Sequence, residues 1–466
     1  MLFSSIPFLF YFLPLVLIIY FAVPFRLKNT VFLISSLFFY GWGEPKYLFF
    51  MLFSITQGYV FGLLIEKYKN KKRSKFFLTA SVLVSLLLLG YCKYADFFIE
   101  NFNAITGLSI PLLKIALPIG ISFYTFQILS YTVDVYRGEV SAQKNYINLA
   151  AYIAMFPQLI AGPIVRYCDV AAQLESRKIT LEKISSGITR FVIGLSKKIL
   201  IANVLGELVS LFKATDNKSV LFYWMYAIAY MLHVYFDFSG YSDMAIGLGK
   251  VFGFDFLENF NYPYISASVT EFWRRWHMSL GSWFRDYLYI PMGGNRVSKA
   301  RWFFNIFVVW MATGLWHGAA WNFVVWGLFF AILLIAEKVF LLKILSKIKG
   351  INHIYVLFLV MLSFVIFDSA SLKEGFSSIA GLFGAGGIPL VNNETLYYFA
   401  SFAIILIVGI IGSTPLPKKV YSYLNSNKTV SYIMNVVEPI GVLILLVICT
   451  AFLIDGSFNP FLYFRF

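Results

Sequence analysis

The chain has 466 residues and a formal net charge of +15; 59% of the residues are hydrophobic and 20% aromatic, but only 13% are charged, against about 25% in soluble domains. With 51 Phe, 30 Tyr and a mean hydropathy of +0.75, there is too little charge to cover a water-exposed surface. Soluble-enzyme, disordered and disulfide-scaffold readings are excluded, and the chain reads as an all-α integral membrane protein whose length admits on the order of ten to twelve membrane segments in one domain, 1–466.

The first apolar run, Ile6 to Pro24, has no preceding positive region and no small-residue cleavage site, and its cations Arg26 and Lys28 follow it. It reads as a retained first helix, with Arg26 and Lys28 on the cytoplasmic side and the amino terminus outside. Further apolar stretches are expected near 30–42, 46–66, 76–92, 115–133, 146–162, 186–211, 219–238, 302–316, 318–342, 354–369, 397–413 and 436–454. Gly and Pro interrupt several of them, as at Pro118-Ile-Gly120 and from Pro157 to Pro163. Such breaks are tolerated at membrane depth only where backbone is buried in protein or lines a wet cavity, which favours an enclosed chamber over a plain bundle. The run from Lys67 to Lys75 and the cluster Lys338, Lys343, Lys347 and Lys349 mark the cytoplasmic side; this basic excess sets topology, and nucleic acid is not expected as a partner. No internal repeat stands out, against a transporter built from repeated halves. Cys92, Cys168 and Cys449 form neither a redox nor a zinc spacing.

Three segments carry candidate chemistry. In His233-Val-Tyr-Phe-Asp-Phe-Ser-Gly-Tyr-Ser-Asp243, His233 and Asp237 are i,i+4 neighbours, and Asp237 and Asp243 flank a Gly-containing break. Buried carboxylates need partners, for which nearby arginines or a histidine are candidates; a structural or orienting role is favoured over direct catalysis.

The stretch Ser266 to Pro291 is dense in Trp and Arg and too charged to cross lipid. Ser268 and Glu271 match a capping box, so a helix should begin at Val269. Phe272, Trp276, Leu280 and Trp283 then form one apolar stripe, and Trp273, His277, Leu280 and Phe284 an adjoining one. This is the pattern of a helix lying along the interface or dipping into the protein. His277, taken alone, reads as a packed histidine satisfied by a backbone carbonyl. For Arg274, Arg275 and Arg285, lipid headgroups and a phosphate-bearing substrate are equally good partners.

In Gly314-Leu-Trp-His-Gly-Ala-Ala-Trp321, the glycines fit small-xxx-small packing, but that leaves His317 unexplained. An ionisable group at membrane depth is costly, and imidazole exchanges a proton near neutral pH, so His317 is read as functional. Trp316 and Trp321 wall off water beside an acyl chain or are plain packing residues. His353 sits in a polar turn and is expected to be solvated. No H-E-x-x-H or other metal motif, G-x-S-x-G elbow, Walker A loop or dinucleotide fingerprint occurs.

At these residues the chain resembles the membrane-bound O-acyltransferase family, in its branch of bacterial alginate O-acetylation and teichoic-acid D-alanylation membrane proteins, and is closer to the former. The resemblance covers most of the chain. It is carried by Phe39-Tyr-Gly-Trp-Gly-Glu-Pro45, Ile121-Ser-Phe-Tyr-Thr-Phe-Gln127, Tyr131-Thr-Val-Asp-Val-Tyr-Arg137 and Phe156-Pro-Gln-Leu-Ile-Ala-Gly-Pro163. It continues through Asp237-Phe-Ser-Gly-Tyr-Ser-Asp243, Glu271-Phe-Trp-Arg-Arg-Trp-His277, Trp283-Phe-Arg-Asp-Tyr-Leu-Tyr-Ile-Pro291 and Gly314 to Trp321, with its motif-bearing core at about 115–342. A departure is Asp368, near which relatives often carry an arginine.

The resemblance implies a multi-helix ring with re-entrant helices and a central funnel, and catalytic histidines at His317 and His277; Trp273, Arg274, Arg275, Trp276, Arg285, Trp316 and Trp321 are the candidates for binding substrate or donor. It implies a multi-pass protein of the plasma or inner membrane with no tightly bound cofactor. The acyl group, an acetyl, would pass from acetyl-CoA or a carrier-bound thioester towards an extracytoplasmic polysaccharide. Implied partners are membrane lipid, an exported or membrane-anchored SGNH-type acetyltransferase and polysaccharide-synthesis machinery. The expected chemistry is general-base activation of an acceptor hydroxyl by His317, with His277 orienting donor or acceptor or supporting charge at the carbonyl oxygen. D-alanyl transfer, lipid acylation and an acyl or glycan transporter are the alternatives.

Overall fold

The computed structural model describes residues 1–43, 45–159 and 162–456. Glu44, Ile160 and Ala161, within two of the motifs above, lie outside the described residues. The described residues form helices and no strand, and they divide into two compact units, Met1–Arg190 with Met244–Leu257, and Phe191–Asp243 with Glu258–Phe466.

In the first unit, α1 (Pro7–Ala22) is followed by α2 (Phe25–Gly41), α3 (Leu48–Lys67), α4 (Lys72–Leu89), α5 (Ala95–Thr106), α6 (Ile121–Arg137), α7 (Tyr146–Ala154) and α8 (Tyr167–Glu175). Helices α3, α4 and α6 pack on one another, and α2 packs on α7. The high Phe content closes one core: the ring of Phe156 lies 5.4 to 5.6 Å from those of Phe12, Phe32, Phe39 and Phe252. Beside it, the guanidinium of the buried Arg177 has no carboxylate partner among the described residues. Its N–H groups are taken by the Tyr20 hydroxyl, the Asn29 side chain and the carbonyls of Gln173 and Phe252, with the Phe254 ring 4.4 Å away, which satisfies a cation that burial would otherwise penalise. The expected interruption at Pro118 to Gly120 is present. Gly120 has φ +75°, and a Cβ there would lie 2.8 Å from the Leu159 carbonyl oxygen, so only glycine fits.

Helix α9 (Leu181–Ser196) leads into α10 (Asn203–Ala214) and α11 (Val220–Val251). The break expected around Gly240 is absent: α11 runs unbroken for 32 residues. Gly240 is instead a point of close approach, where a Cβ would lie 2.7 Å from the Gly194 carbonyl oxygen.

The second unit continues with α12 (Val269–Arg275), α13 (Met278–Phe284), α14 (Lys299–His317), α15 (Trp321–Ala336), α16 (Ile351–Asp368), α17 (Leu372–Leu382), α18 (Asn393–Gly412), α19 (Leu416–Asn425) and α20 (Lys428–Ile454). Helices α14 and α15 form a hairpin whose backbones meet at glycines. A Cβ on Gly314 would lie 2.3 Å from the Phe323 carbonyl oxygen, and one on Gly327 2.3 Å from that of Trp310. The small-residue packing expected of Gly314 is therefore realised. Five helices among the described residues are long and apolar enough to cross a membrane: Pro45–Lys67, Lys72–Thr106, Ile351–Asp368, Asn393–Gly412 and Lys428–Ile454.

Candidate active site

The site is built on α12 and α13, two helices of seven residues each, too short to cross a membrane. Helix α12 begins at Val269 as the sequence indicates, with the Ser268 hydroxyl accepting from Glu271 N at 3.0 Å. The reciprocal contact goes one residue further back than a capping box, from Ala267 N to Glu271 Oε2 at 2.9 Å. A second carboxylate, distant in sequence, completes this start. Glu337, fully buried, accepts from Val269 N at 2.6 Å, Thr270 N at 2.8 Å and Thr270 Oγ1 at 2.7 Å, satisfying N–H groups that a helix start leaves open.

The expected continuous helix from Val269 breaks after about two turns. His277 has φ +45° and ψ +53°, a left-handed conformation that costs a residue with a Cβ of order 1–3 kcal/mol and persists only when its surroundings impose it. Asn259 imposes it. Its backbone oxygen accepts from Met278 N at 2.9 Å, and its Oδ1 receives Ser279 N at 3.2 Å, Ser279 Oγ at 2.9 Å and His277 Nδ1 at 3.1 Å.

These contacts settle the tautomer by elimination. Ser279 N–H can only donate, so the Asn259 atom facing it is the amide oxygen, and an amide oxygen only accepts. Nδ1 of His277 therefore carries the proton and Nε2 carries the lone pair. Nε2 is buried without a hydrogen-bond partner among the described residues, in a side chain 2% exposed. Burial, and then the nearby His317, hold the His277 imidazole well below its ordinary pKa range, so it is neutral.

His277 lines a cavity of about 660 Å³ together with Trp273, Trp310, Arg274, Arg285 and Lys338, and no acidic side chain lines it. The Trp273 ring is locked between Trp310 and Phe330, with centroids 4.6 and 4.8 Å away. The cavity thus joins an apolar interior to three cations, an arrangement suited to a ligand with an anionic head and an apolar or neutral reactive end.

His317 is the last residue of α14 and is half-buried. It does not line that cavity. Both imidazoles approach one indole: the Trp316 centroid is 5.9 Å from His277 and 5.0 Å from His317. Trp326 and Phe367 close on His317 at 5.1 and 5.3 Å.

Several expected assignments are corrected. Arg275 is not a cavity cation: its Nε and Nη2 hold Glu271 Oε1 at 2.9 and 2.8 Å, and Nη1 donates to the Asn261 carbonyl at 3.1 Å. Burial raises the Glu271 carboxyl, but the Ala267 N–H and Arg275 outweigh it and hold the group below its usual range. Trp276 is core, stacked on Phe272 at 5.5 Å and turned from the cavity by the break that follows it. Trp321 is 55% exposed at the start of α15 and is not among the residues lining this cavity. Arg285 does reach the cavity while paired to Asp286 at 2.7 Å. The partners of Asp237 and Asp243 are lysines: Asp237 pairs with the fully buried Lys198, and Asp243 with Lys197 at 2.7 Å. His233 Nδ1 bonds the Ala202 carbonyl at 2.6 Å. His353 lies in the first turn of α16, with Nδ1 3.1 Å from the Ser266 carbonyl oxygen, because the turn expected there is already helical. Asp368 is held by Lys213 and the Tyr226 hydroxyl, each at 2.7 Å.

Asn259, Glu337, Trp310 and Lys338 belong to the site but not to its sequence motifs. Only Glu337 had a legible signal, a carboxylate closing an apolar run of sixteen residues, which is costly unless paired.

Comparison with known proteins bears on this arrangement. Residues 139–367 match the family described as MBOAT, membrane-bound O-acyltransferase family. The chain is 38% identical to the "Probable alginate O-acetylase AlgI" of Azotobacter vinelandii over the whole of both proteins. It is 31% identical to the "Peptidoglycan O-acetyltransferase" of Helicobacter pylori, over all of this chain and 98% of that protein. With the "Teichoic acid D-alanyltransferase" of Bacillus subtilis it shares 30% identity over 59% of this chain and 71% of that protein.

Proposed function

Because this chain belongs to the membrane-bound O-acyltransferase family and is an O-acyltransferase, we propose that it moves an acetyl group from a cytoplasmic thioester to a hydroxyl destined for an extracytoplasmic polysaccharide. The relatives matched over their full length are named for O-acetylation of alginate and peptidoglycan, whereas the D-alanyl relative is matched over little more than half of this chain. That contrast favours acetyl over D-alanyl.

The observation that carries the reading is the bare Nε2 of His277, buried beside a cavity rimmed by Arg274, Arg285 and Lys338. Those cations fit the phosphates of acetyl-CoA or of a carrier-bound pantetheine, and the apolar interior around Trp273 and Trp310 excludes water from the thioester. His317, one indole away, is the general base for the acceptor. As the acceptor oxygen bonds to the acetyl carbon, the carbon–sulfur bond breaks; the hydroxyl proton passes to His317 and on to the departing thiolate. His277, with Nδ1–H committed to Asn259, offers a hydrogen-bond acceptor at Nε2, not a donor. It therefore orients an N–H or O–H of donor or acceptor and does not support an oxyanion. Holding two reactants together supplies much of the rate, since a thioester is already activated.

Within this reading the protein sits in the plasma or inner membrane as a multi-pass chain with Lys338 and the neighbouring lysines on the cytoplasmic side, and the acetyl group reaches the polysaccharide directly or through an exported SGNH-type partner. Proteoliposomes given acetyl-labelled CoA and a polysaccharide fragment, with and without such a partner, test it. A new labelled ester is the expected product. Movement of an unmodified cargo with no ester, or exclusive transfer of D-alanine or a long acyl chain, contradicts it.

A further inference from the structure

Between α12 and the short helix α19 lies a second, shallower groove of about 440 Å³. Lys418 and Lys419 of α19 and Arg275 of α12 line it, with Ser422, Asn261 and Tyr262, and no acidic side chain among the described residues does. Neither lysine has an ion-pair partner among the described residues, and both are exposed. Arg275 spends three N–H groups on Glu271 and Asn261; a guanidinium has five, so two remain to donate.

The place of the groove in the chain identifies what fills it. Helix α19 joins α18 to α20, both long and apolar enough to cross a membrane, so it lies at a membrane surface. None of its side chains is buried. Leu416, Val420, Tyr423 and Leu424 make one apolar stripe, between 42% and 79% exposed, while Lys418 and Ser422 point the opposite way on the helical wheel. A helix of this kind sets its apolar face among acyl chains and its cations at phosphate level. The Tyr421 hydroxyl, bonded to Glu438 at 2.7 Å, holds it against α20.

We propose that this groove binds the headgroup phosphate of an anionic phospholipid, with Lys418 and Lys419 supplying the charge, Arg275 and Ser422 the hydrogen bonds, and the acyl chains running along the apolar stripe. A groove of about 440 Å³ suits one headgroup.

The test is competitive exchange of fluorescent phosphatidylglycerol and phosphatidylcholine on the purified full-length protein. This measures binding directly and does not depend on acyl transfer. Phosphatidylglycerol should be preferred at least about fivefold. The preference should vanish in the double variant Lys418→Gln/Lys419→Gln and in Ser422→Asp, and should survive in Lys71→Gln/Lys72→Gln, a charge-matched pair elsewhere. Inorganic phosphate should not displace the lipid. Equal affinity for the two lipids, a preference untouched by both groove variants or lost equally in the control pair, or displacement by inorganic phosphate alone would each overturn the proposal.

Discussion

Asn259 Oδ1 lies 3.1 Å from Nδ1 of His277, and the same oxygen receives both the backbone N–H and the hydroxyl of Ser279. One buried amide thus holds the backbone of the break and decides which imidazole nitrogen is basic. In Asn259→Ala the tautomer is released and three donors lose their acceptor. We expect kcat to fall on the order of tenfold to a hundredfold, with KM for the thioester little changed because the cavity cations are untouched. Stability should fall by about 1–3 kcal/mol for the unpaired buried groups. Initial rates and thermal melts of the purified variant measure both; a rise in KM alone would mean that Asn259 serves binding.

The pH profile follows from the same burial. The folded pKa of His277 is lowered, so the neutral, competent imidazole persists below the ordinary histidine value of about 6.5. The part of the acidic limb of kcat that comes from His277 should therefore lie below that value, separate from the limb set by His317 as general base. By linkage, the unfolded state takes up the proton first as pH falls, so any stability contributed by neutral His277 is present above the unfolded pKa and lost below it. An acidic limb centred at or above ordinary histidine titration in the wild type, absent in His277→Gln, would contradict this.

Gly314→Ala and Gly327→Ala probe the hairpin of α14 and α15. Alanine ordinarily stabilises an exposed helix position by about 1 kcal/mol over glycine. Here each new methyl would sit 2.3 Å from a carbonyl oxygen of the facing helix, so both substitutions should lower the melting temperature, and each should displace the imidazole of His317 at the end of α14. Neutral or raised melting temperatures would show that the helices separate freely.

The pair Lys198 and Asp237 is almost wholly inaccessible to solvent. Breaking such a pair from one side leaves a buried charge and costs about 3–5 kcal/mol. Asp237→Asn and Lys198→Met should each destabilise strongly, while the double variant Lys198→Met/Asp237→Leu should recover much of the loss. A double-mutant cycle on thermal unfolding measures this; additive losses would show that the two side chains do not act as a pair.

The legible part of this molecule is whatever depends on local pattern. Composition identifies a membrane protein, Ser268 marks the start of α12 at Val269, and the glycines around His317 announce a tight helix contact. What stays hidden depends on residues distant in sequence. The break at His277 is imposed by Asn259, eighteen positions earlier, so a stripe pattern running through Trp276 and Leu280 reads as one helix. The N–H groups of Val269 and Thr270 find Glu337, more than sixty positions later. Asp237 and Asp243 look like partners for arginine or histidine, yet the adjacent Lys197 and Lys198 reach them where α11 packs closely at Gly240. Arg274 and Arg275 are indistinguishable as letters; one lines the cavity and the other pairs with Glu271 and Asn261 outside it.

The most direct measurement is the initial rate of ester formation by His317→Ala in proteoliposomes supplied with acetyl-labelled CoA and acceptor, alongside wild type, with folding checked by thermal melt. A general base contributes about 10²–10⁴ in rate, so the account predicts a loss of that size in a folded protein that still binds the donor. A folded His317→Ala that transfers acetyl at a near-normal rate would contradict it.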